Sequence, residues 1–365
     1  MTDLNKQKVL VGMSGGVDSS VAAALLVEQG YEVIGLTITP FKVEDECKPK
    51  LHDRSCCDYQ SITDSMDICE KLGMKHYFVD LSEAFKANII DNFIDEYLNG
   101  RTPNPCVNCN PAIKWGGIMA KADELGAYWI ATGHYASINN SEETGRYYIS
   151  KGSDTVKDQS YFLWKLSQQQ LARTLFPLQK MNKPEVRKIA EKYGLKVANK
   201  LDSQEVCFIP NNDYRSFLKK KTEEPDKIFK EGDIVFDGIV IGKHQGYPLY
   251  TIGQRRGLGV SYHRPLFVKA IHAESNIVEV GCDEELLSES LKATDINLMK
   301  YLKLDENKIF TIKIRYRDAG EDALCKINEN SELEVKFIKP RRAITPGQSI
   351  VIYEGNDLVG GGIIK

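Results

Sequence analysis

Short apolar runs alternate with stretches of helical periodicity through the first half of the chain. Apolar runs of β type predict strands at Val9–Val11, Val33–Thr37, His76–Val79 and Trp129–Thr132. Apolar residues spaced three and four positions apart predict helices at Val21–Gln29, Ser61–Leu72, Ala84–Leu98 and Ile113–Leu125. The positions where C-terminal caps belong are held by Gly30, Gly73, Gly100 and Gly126, and Ser61-x-x-Asp64 fits a helix start. This alternation predicts a parallel α/β domain that binds its ligand at the carboxyl ends of the strands.

The pattern changes in the second half of the chain. A last helix, introduced by Pro184 and closed by Gly194, extends the α/β half to about residue 210. From Gly232 onward, short strands are predicted at Ile234–Phe236, Ile239–Ile241, Phe267–Ala270, Ile277–Val280, Ile309–Ile314, Glu334–Phe337 and Ser349–Tyr353. Evenly spaced short strands are typical of barrels and sandwiches. We therefore predict an α/β domain at 1–210, a small central domain at 211–282 and a C-terminal β-barrel at 283–365, with a helix-like linker near Cys282–Thr294.

The segment Gly12–Ser20 follows the first apolar run and opens the first helix. Its glycines allow a tight turn that exposes backbone N–H groups, and the helix N-terminus adds its positive dipole end, so the segment suits a phosphate. It has no lysine where a Walker sequence needs one, and it lacks G-x-G-x-x-G spacing. The string S-G-G-V-D-S-S instead resembles the PP-loop of ATP pyrophosphatases, which split ATP into AMP and pyrophosphate to activate a carbonyl oxygen. The alternative is a Ser/Gly-rich helix cap without chemistry.

Two further segments carry candidate chemistry through cysteine. Arg101–Asn110 is a loop stiffened by two prolines that presents a C-x-x-C pair, Cys106 and Cys109, just before a helix. A helix N-terminus favours thiolate, so either sulfur suits a nucleophile or a metal ligand. Cys207 lies in Asp202–Pro210, at the rim of the same α/β half. The alternatives left open are a structural zinc knuckle for the pair and an inert buried thiol for Cys207.

Composition limits the classes of protein that fit. The chain has 365 residues, 42% hydrophobic residues and a net charge of −3, which indicates a globular protein of two or three domains and argues against a uniformly basic nucleic-acid binder. The polar start and the absence of about eighteen consecutive apolar residues predict a cytoplasmic protein. Nine cysteines without an export signal argue against a disulfide framework. Local basic clusters, taken alone, read as solvated faces: Lys219–Lys221, Arg255–Arg256, Arg315 with Arg317, and Lys339 with Arg341–Arg342.

Taken together, the motifs resemble those of the bacterial tRNA-specific 2-thiouridylases, in order and over nearly the whole chain. After the PP-loop come T-P-N-P-x-x-x-C-N, A-T-G-H-Y-A at Ala131–Ala136, K-D-Q-S-Y-F-L at Lys157–Leu163, D-S-x-x-V-C-F-I, Y-T-I-G-Q-R-R-G-L-G at Tyr250–Gly259 and T-P-G-Q-S at Thr345–Ser349. The resemblance implies that ATP with Mg²⁺ adenylates the 2-carbonyl oxygen of a flipped wobble uridine in tRNA, after which sulfur replaces it. The implied partners are tRNA and either a sulfur donor protein or sulfide, with no membrane and no DNA.

The resemblance also assigns site residues to this sequence. The implied phosphate loop is Gly12, Met13, Ser14, Gly15, Gly16, Val17, Asp18 and Ser19, with Asp18 a candidate metal ligand, and the implied adenosine contacts are Ile38 and Gly133. The implied tRNA contacts are Asn104, Lys157, Asp158, Gln159, Arg315 and Tyr316. His134 is a further site candidate, with a structural hydrogen bond as the alternative. Cys47, Cys56, Cys57 and Cys69 lie in and after a Lys/Asp-rich loop, and we interpret the adjacent pair Cys56–Cys57 as lining residues near the nucleotide pocket, with a structural zinc site as the alternative. We interpret Cys282 and Cys325 as packing thiols.

Two routes for sulfur remain open. In the first, Cys207 carries a persulfide and Cys109 resolves the remaining bond as a disulfide. In the second, an iron–sulfur cluster held by Cys106, Cys109 and Cys207 binds hydrosulfide at an open iron. Relatives often have Asp where this chain has Cys106. Because thiolate is the softer ligand, we expect a three-thiolate site that holds a 4Fe-4S cluster.

Two other classes of protein share part of these features. A different PP-loop enzyme, such as an amidotransferase or an argininosuccinate-type ligase, would share Ser14–Ser20 but has no need of the paired cysteine segments. AMP release that requires tRNA would exclude it. A non-catalytic zinc or RNA-binding protein would explain the cysteines but would leave the phosphate loop unused, and zinc without ATP binding would favour it.

Overall fold

The computed structural model describes residues 7–41, 59–201 and 206–365. The chain divides into two compact units. The first contains the described residues up to Ile89, together with Cys106–Asn212 and Asn356–Leu358. The second contains Ile90–Pro105, Asp213–Gly355 and Val359–Lys365. Within the described ranges, no helix is both long enough and apolar enough to cross a membrane.

The helices and strands follow in chain order. The α-helices are α1 (Val17–Glu28), α2 (Tyr59–Lys71), α3 (Ser82–Phe85), α4 (Asp91–Leu98), α5 (Pro105–Cys109), α6 (Gly116–Leu125), α7 (Gln168–Ala172), α8 (Lys183–Lys192), α9 (Tyr214–Lys221) and α10 (Pro225–Ile228). The strands are β1 (Lys8–Gly12), β2 (Glu32–Thr39), β3 (Lys75–Asp80), β4 (Trp129–Ala131), β5 (Ala136–Asn140), β6 (Tyr147–Lys151), β7 (Thr174–Leu175), β8 (Gly232–Phe236), β9 (Ile239–His244), β10 (Phe267–His272), β11 (Ile277–Gly281), β12 (Leu287–Leu298), β13 (Ile309–Lys313), β14 (Glu321–Ile327), β15 (Leu333–Arg342), β16 (Ser349–Glu354) and β17 (Asp357–Ile364).

The first unit is built on a parallel sheet with the strand order β3-β2-β1-β4-β7. Val9, Leu10 and Val11 of the central strand are fully buried, as expected where helices cover both faces of a sheet. The strand order reverses between β1 and β4, because β2 and β3 lie on one side of β1 and β4 and β7 on the other. Open α/β sheets bind ligands at the carboxyl ends of strands at such a switch point. The predicted parallel α/β fold is confirmed, and its switch point lies at the Gly-rich loop after β1.

Helix ends follow the sequence signals more closely than helix starts do. Gly30, Gly73, Gly100 and Gly126 all adopt positive φ angles, between 66° and 87°, as C-terminal caps require. The predicted start at Ser61 is wrong, because α2 already includes Tyr59 and the Ser61 carbonyl accepts a hydrogen bond from Ser65 Oγ within the helix at 2.8 Å.

The other two predicted helices of this half have interrupted hydrogen-bonding patterns. The predicted helix over Ala84–Leu98 contains a π-helical turn at Lys86–Ile90 between α3 and α4. The predicted helix over Ile113–Leu125 begins as a π-helical segment, Asn110–Trp115, before α6. Pro111 has no N–H for the usual helical hydrogen bond, which accounts for the wider turn there.

The second unit contains a small four-stranded sheet with the order β10-β11-β8-β9. Its pairs are antiparallel except for β11 with β8. The inward side chains include Ile234, Val268 and Val278, which are fully buried in one apolar core. These strands lie where the sequence predicts them.

The C-terminal strands form a closed barrel. They are ordered β12-β15-β14-β13-β16-β17, and β12 also pairs with β17. Alternating inward residues such as Phe310 and Ile312 fill its core. The predicted helix-like linker near Cys282–Thr294 is wrong, because after a short 3-10 turn at Asp283–Leu286 this segment is strand β12. Leu291 and Ala293 point into the barrel core while β12 pairs with β15, so long-range pairing outweighs the local helical pattern.

Candidate active site

The Gly-rich loop lies between β1 and α1, at the carboxyl end of β1. Met13 N–H donates to the Leu36 carbonyl of the neighbouring strand at 2.7 Å, and Ser14 N–H donates to Ser19 Oγ at 3.2 Å. Gly16 is the N-terminal cap residue of α1, with extended backbone at φ −100° and ψ 163°. The Ser19 hydroxyl also donates to the Gly16 carbonyl at 3.2 Å. The loop is therefore a preformed turn that leads directly into a helix N-terminus, which is a favourable place for a phosphate.

Two glycines permit close backbone approach at this loop. Gly15 has φ +64°, and a Cβ there would lie 2.2 Å from the Ser61 carbonyl oxygen. Gly133, after β4, packs against the first turn of α1, where a Cβ would lie 2.6 Å from the carbonyl carbon of Asp18. Any larger residue at either position would displace backbone. The structure therefore places Gly133 beside the loop, and its contact with adenosine stays a prediction.

Asp18 is held by protein donors. Lys183 Nζ lies 2.8 Å from both carboxylate oxygens, and the Tyr135 hydroxyl donates to one of them at 2.7 Å. Lys183 is 8% exposed and Tyr135 is 2% exposed, whereas the Asp18 side chain is 32% exposed, so only the lysine side of the ion pair is shielded from water. These contacts anchor Asp18 at the start of α1, and its role as a metal ligand stays a prediction.

The remaining loop residues differ in how they face solvent. Ser14 is exposed and Gly16 is partly exposed, so an anion can approach this part of the loop, although Ser14 N–H already donates to Ser19 Oγ. Met13 and Val17 are each 3% exposed and belong to the sheet core, which leaves only their backbone for ligand contact. Ile38, near the end of β2, is partly exposed.

The Lys157–Gln159 segment belongs to the same unit as the loop. Gln159 pairs with Tyr135 through two hydrogen bonds of 3.0 Å, one through its backbone N–H and one through Oε1. The Asp158 carboxylate is 8% exposed and accepts hydrogen bonds from the Ser160 hydroxyl at 2.9 Å and the Ser160 N–H at 3.2 Å. Asp158 therefore shapes the segment from inside, while Lys157 is partly exposed.

The described cysteines fall into two groups. Cys106 is exposed, and Cys109 and Cys207 are partly exposed. The packing thiols are buried, and burial raises the pKa of Cys69 and of Cys325 to about 12 and also raises the pKa of Cys282. A buried thiol with a raised pKa is unreactive, because the nucleophile is the thiolate. The predicted packing role of Cys282 and Cys325 is confirmed, Cys69 belongs to the core of the sheet, and Cys47, Cys56 and Cys57 lie outside the described residues.

The Cys109 segment is fastened to the stretch that follows Lys157–Gln159. The buried Asn110 amide donates to the Phe162 carbonyl at 2.9 Å, and Lys165 Nζ donates to Asn108 Oδ1 at 3.0 Å. A third bond runs from Gln170 Nε2 to the Pro111 carbonyl at 3.0 Å. These bonds fix the backbone on both sides of Cys109.

Cys207 lies in a turn anchored by its neighbours. Phe208 is 7% exposed and packs edge to face against Phe85, with ring centroids 5.8 Å apart, and Ile209 N–H donates to the Val206 carbonyl at 3.1 Å. Asp202–Glu205, which precede this turn, lie outside the described residues. Within the described chain, which includes all three accessible cysteines, no three His, Cys, Asp or Glu side chains are grouped to hold a metal ion. The expected three-thiolate cluster site is therefore not assembled in this structure.

His134 has a structural role here. Its Nδ1 lies 2.8 Å from Thr132 Oγ1, and its ring centroid lies 5.4 Å from that of the buried Trp115. Burial lowers the pKa of His134 well below 6.5, and the positive charge of Lys114 lowers it further. A neutral, hydrogen-bonded imidazole fits the structural alternative.

The second unit carries the remaining candidate tRNA contacts. Arg315 is exposed and its guanidinium donates to the Arg342 carbonyl at 2.9 Å, while Tyr316 is partly exposed. Asp318, 8% exposed, closes this turn by accepting from Ile314 N–H at 3.1 Å. Asn104, also in this unit, is partly exposed.

The sequence does not single out Lys183 or Lys200, which bind the loop from 165 and 185 residues away in the chain. Both are ordinary lysines of a polar stretch around α8. Tyr135 lies in a recognised motif, but its role beside Asp18 also depends on folding. The sequence offers one indirect signal for these lysines: a carboxylate beside an anion site, such as Asp18, requires a compensating cation from elsewhere in the chain.

Family profiles match the chain in three consecutive stretches. The profile described as tRNA methyl transferase HUP domain matches residues 7–211, more than half of the chain. The profiles described as tRNA methyl transferase PRC-barrel domain and aminomethyltransferase beta-barrel domain match residues 215–282 and 288–364. These matches agree with the parallel sheet and the barrel of the observed fold.

Several curated relatives align over almost their full length. The chain is 50% identical over 358 residues to tRNA-specific 2-thiouridylase MnmA 1 of Caldanaerobacter subterraneus subsp. tengcongensis, with 98% of each chain covered. It is 49% identical to tRNA-specific 2-thiouridylase MnmA 2 of a Thermoanaerobacter species, with 98% of each chain covered. It is 47% identical to tRNA-specific 2-thiouridylase MnmA of Salinibacter ruber, with 98% of this chain and 94% of the relative covered. The chain belongs to the family of tRNA-specific 2-thiouridylases.

Proposed function

We propose that this protein uses ATP to replace the 2-carbonyl oxygen of the tRNA wobble uridine with sulfur. The observation that carries the proposal is the preformed phosphate loop on the same unit as three accessible cysteines. Membership of a family named for tRNA 2-thiolation supports the same reaction. We also propose the division into domains at 1–210, 211–282 and 283–365, which the three profile matches support.

The phosphate loop performs the first half of the reaction. Backbone N–H groups of Gly15 and Gly16 and the N-terminus of α1 bind the ATP phosphates, with Gly133 and Ile38 toward the adenosine. The uridine O2 attacks the α-phosphorus, the bond to the β-phosphate breaks and pyrophosphate leaves. Mg²⁺, when bound with ATP, reduces the charge repulsion between the phosphates and the attacking oxygen. The product is a uridine whose C2 carries AMP as a leaving group.

The cysteines perform the second half. Cys207, charged with a persulfide by the donor, attacks the activated C2 through its outer sulfur, and AMP leaves with the original oxygen. The Cys109 thiolate then attacks the inner sulfur of Cys207, the sulfur–sulfur bond to the uridine breaks, and 2-thiouridine remains. An external reductant must afterwards reduce the Cys109–Cys207 disulfide. Because the three accessible cysteines are not grouped as a metal site, we assign no step to a cluster.

The tRNA contacts combine a rigid segment with exposed basic residues. Lys157–Gln159 is fastened to Tyr135 and, through residues 162–170, to the backbone around Cys109, which suits a segment that positions the target base. Arg315 and Tyr316 on the barrel, with the basic clusters of the second unit, supply phosphate contacts. Such phosphate contacts provide affinity for tRNA, while recognition of the flipped base provides specificity.

The test of the function is a reconstituted reaction. Purified protein, ATP, an unmodified tRNA with a wobble uridine, and a persulfide donor should yield AMP, pyrophosphate and 2-thiouridine, measured by nucleoside mass spectrometry. AMP release should require the tRNA. Release of AMP without tRNA would indicate another PP-loop enzyme, and bound zinc with no ATP binding would indicate a non-catalytic protein.

The test of the sulfur route is Cys106→Ala. This change leaves Cys109 and Cys207 in place, so the persulfide route predicts thiolation at near the wild-type rate in iron-free protein. A brown, oxygen-sensitive wild-type protein with about four irons per chain, whose activity disappears with Cys106→Ala, would instead establish the cluster route. Cys282→Ala, at a buried position in the second unit, is the matched control.

A further inference from the structure

The Gly-rich loop contains no lysine, although the ligand proposed for it carries several negative charges. Two lysines from the distant stretch around α8 reach the loop region. We propose that one of them, Lys200, is the cation of the phosphate loop and binds the β- and γ-phosphates of the nucleotide. This inference rests on the proposed use of ATP.

Lys200 lies directly against the loop backbone. Its Nζ donates to the Gly15 carbonyl at 3.0 Å, to Ser61 Oγ at 3.2 Å and to the Asp64 carboxylate at 2.7 Å. A loop that turns its N–H groups toward an anion needs donors for its carbonyl groups elsewhere, and Lys200 provides one for Gly15. The same contact places the ammonium of the Lys200–Asp64 ion pair at the loop, well within a Debye length of about 8 Å of a bound phosphate.

The other lysine is not available for this role. Lys183 contacts both oxygens of Asp18, in the first turn of α1, and its side chain is only 10% exposed. Lys200 is ion-paired as well, with Asp64, but its side chain is 34% exposed and its Nζ contacts the loop backbone itself at Gly15. Of the two, Lys200 has both the position and the access.

The backbone that carries Lys200 is also fixed. The Arg187 guanidinium, from α8, donates to the Lys200 carbonyl at 3.0 Å and also to the Ala198 carbonyl. These bonds hold the 3-10 turn at Lys196–Asn199 and present Lys200 at a set distance from the loop. A preorganised cation binds phosphate with little loss of side-chain entropy.

The first measurement compares ATP with AMP. Lys200→Met should raise the Kd for ATP about tenfold or more, the usual scale for a charge-assisted hydrogen bond, and change the Kd for AMP less than about twofold. Lys200→Arg, which keeps the charge, should restore most of the ATP affinity. The control is Lys196→Met, because Lys196 lies in the same segment and pairs with Asp67 of α2 at 2.8 Å, at an exposed position away from the loop.

The second measurement distinguishes a phosphate-binding role of Lys200 from a purely structural role, in which it only links α2 to the loop. If Lys200 acts on phosphate, Asp64→Asn removes a competing negative charge and should leave the affinity for ATP unchanged or increase it. If Lys200 only clamps α2 to the loop through Asp64, Asp64→Asn should weaken ATP and AMP binding as Lys200→Met does. Calorimetry on the full chain at fixed salt, with thermal unfolding of each variant, gives both answers.

The outcomes are distinguishable from failure of the proposed function. Wild-type protein that binds no ATP would overturn the proposed function itself. Wild-type protein that binds ATP, with equal losses for ATP and AMP in Lys200→Met, or with a loss of ATP affinity in Asp64→Asn, would overturn only the role of Lys200. A selective loss of ATP affinity in Lys200→Met, absent in Lys196→Met, would establish it.

Discussion

The phosphate loop and the cysteine segments belong to one unit but differ in how complete they are. The loop is a finished turn, with its glycines packed against backbone and Asp18 bound by Lys183 and Tyr135. The cysteine segments are firmly fastened at their backbones, yet the accessible thiols are not grouped as a metal site. The proposed nucleotide site is thus built into this fold, whereas the proposed sulfur transfer relies on thiols that are partly or fully exposed.

The strongest test of this difference separates the two halves of the reaction. Gly16→Val should reduce both tRNA-dependent AMP release and thiolation below about one per cent, because the side chain fills the phosphate position. Cys109→Ala should reduce thiolation equally but still release about one AMP per protein, because AMP leaves before Cys109 acts and the tRNA then stays joined to Cys207 through the sulfur–sulfur bond. Both are measured by chromatography of nucleotides and nucleosides from one reaction.

The fold of Gly16→Val should survive. A Cβ at Gly16 meets only Ser14 Oγ, at 3.4 Å, whereas a Cβ at Gly15 would meet the Ser61 carbonyl at 2.2 Å. Gly15→Ala should therefore lower the melting temperature and Gly16→Val should not. Unchanged AMP release in Gly16→Val, or loss of the single-turnover AMP release in Cys109→Ala, would contradict the division.

Thiol labelling tests the second side of the comparison. At pH 8, iodoacetamide should modify Cys106, Cys109 and Cys207 in the native protein, as read by peptide mass spectrometry. Cys69 and Cys325 should remain unmodified, because a pKa of about 12 leaves only about one thiolate in ten thousand at that pH. Their labelling should increase about tenfold per pH unit below pH 12 while the fold persists. Rapid labelling of Cys325 at pH 8 would show that its burial is not maintained.

The same raised pKa values have a consequence for stability. The folded protein retains the Cys69 and Cys325 protons up to about pH 12, whereas the unfolded chain releases them near the ordinary thiol pKa of about 8.5. The free energy of unfolding should therefore fall as pH rises above about 9, by up to about 1.4 kcal/mol per pH unit for each thiol. Cys325→Ala should reduce the pH dependence of the free energy of unfolding by the contribution of one thiol, up to about 1.4 kcal/mol per pH unit.

The smallest effects concern the anchor of the loop. Lys183→Met leaves the Asp18 carboxylate, whose side chain is 32% exposed, without its cation and should cost about 2 kcal/mol of unfolding free energy, between the values for exposed and for buried ion pairs. Tyr135→Phe removes one hydrogen bond to the same carboxylate and should cost about 1–2 kcal/mol. Chemical denaturation followed by circular dichroism measures both. Equal costs for the two changes would mean that the charge of Lys183 is already satisfied elsewhere.

The sequence was a good guide wherever a local signal decides the structure. Apolar runs located the parallel strands, positive-φ glycines located the helix ends, and the Gly12–Ser20 string located the phosphate loop. The signals failed where distant pairing decides. β12 is a strand because it pairs with β15 and β17, and Ser61 and Asp64 contact Lys200 rather than capping a helix. The accessibility of the cysteines, likewise, depends on what the folded chain packs around them.

The anchoring of Asp18 by Lys183 also bears on how the protein acquires its activity during folding. The two residues are 165 positions apart, and Lys200 meets Gly15 across 185. Contacts of such sequence separation form late, because a long stretch of chain must be closed before they give any stabilisation. A loop sequence that is complete near the start of synthesis therefore becomes competent for nucleotide only when the parallel sheet has assembled around it. Recovery of ATP binding during refolding would then report the completion of the whole first unit rather than the formation of one turn.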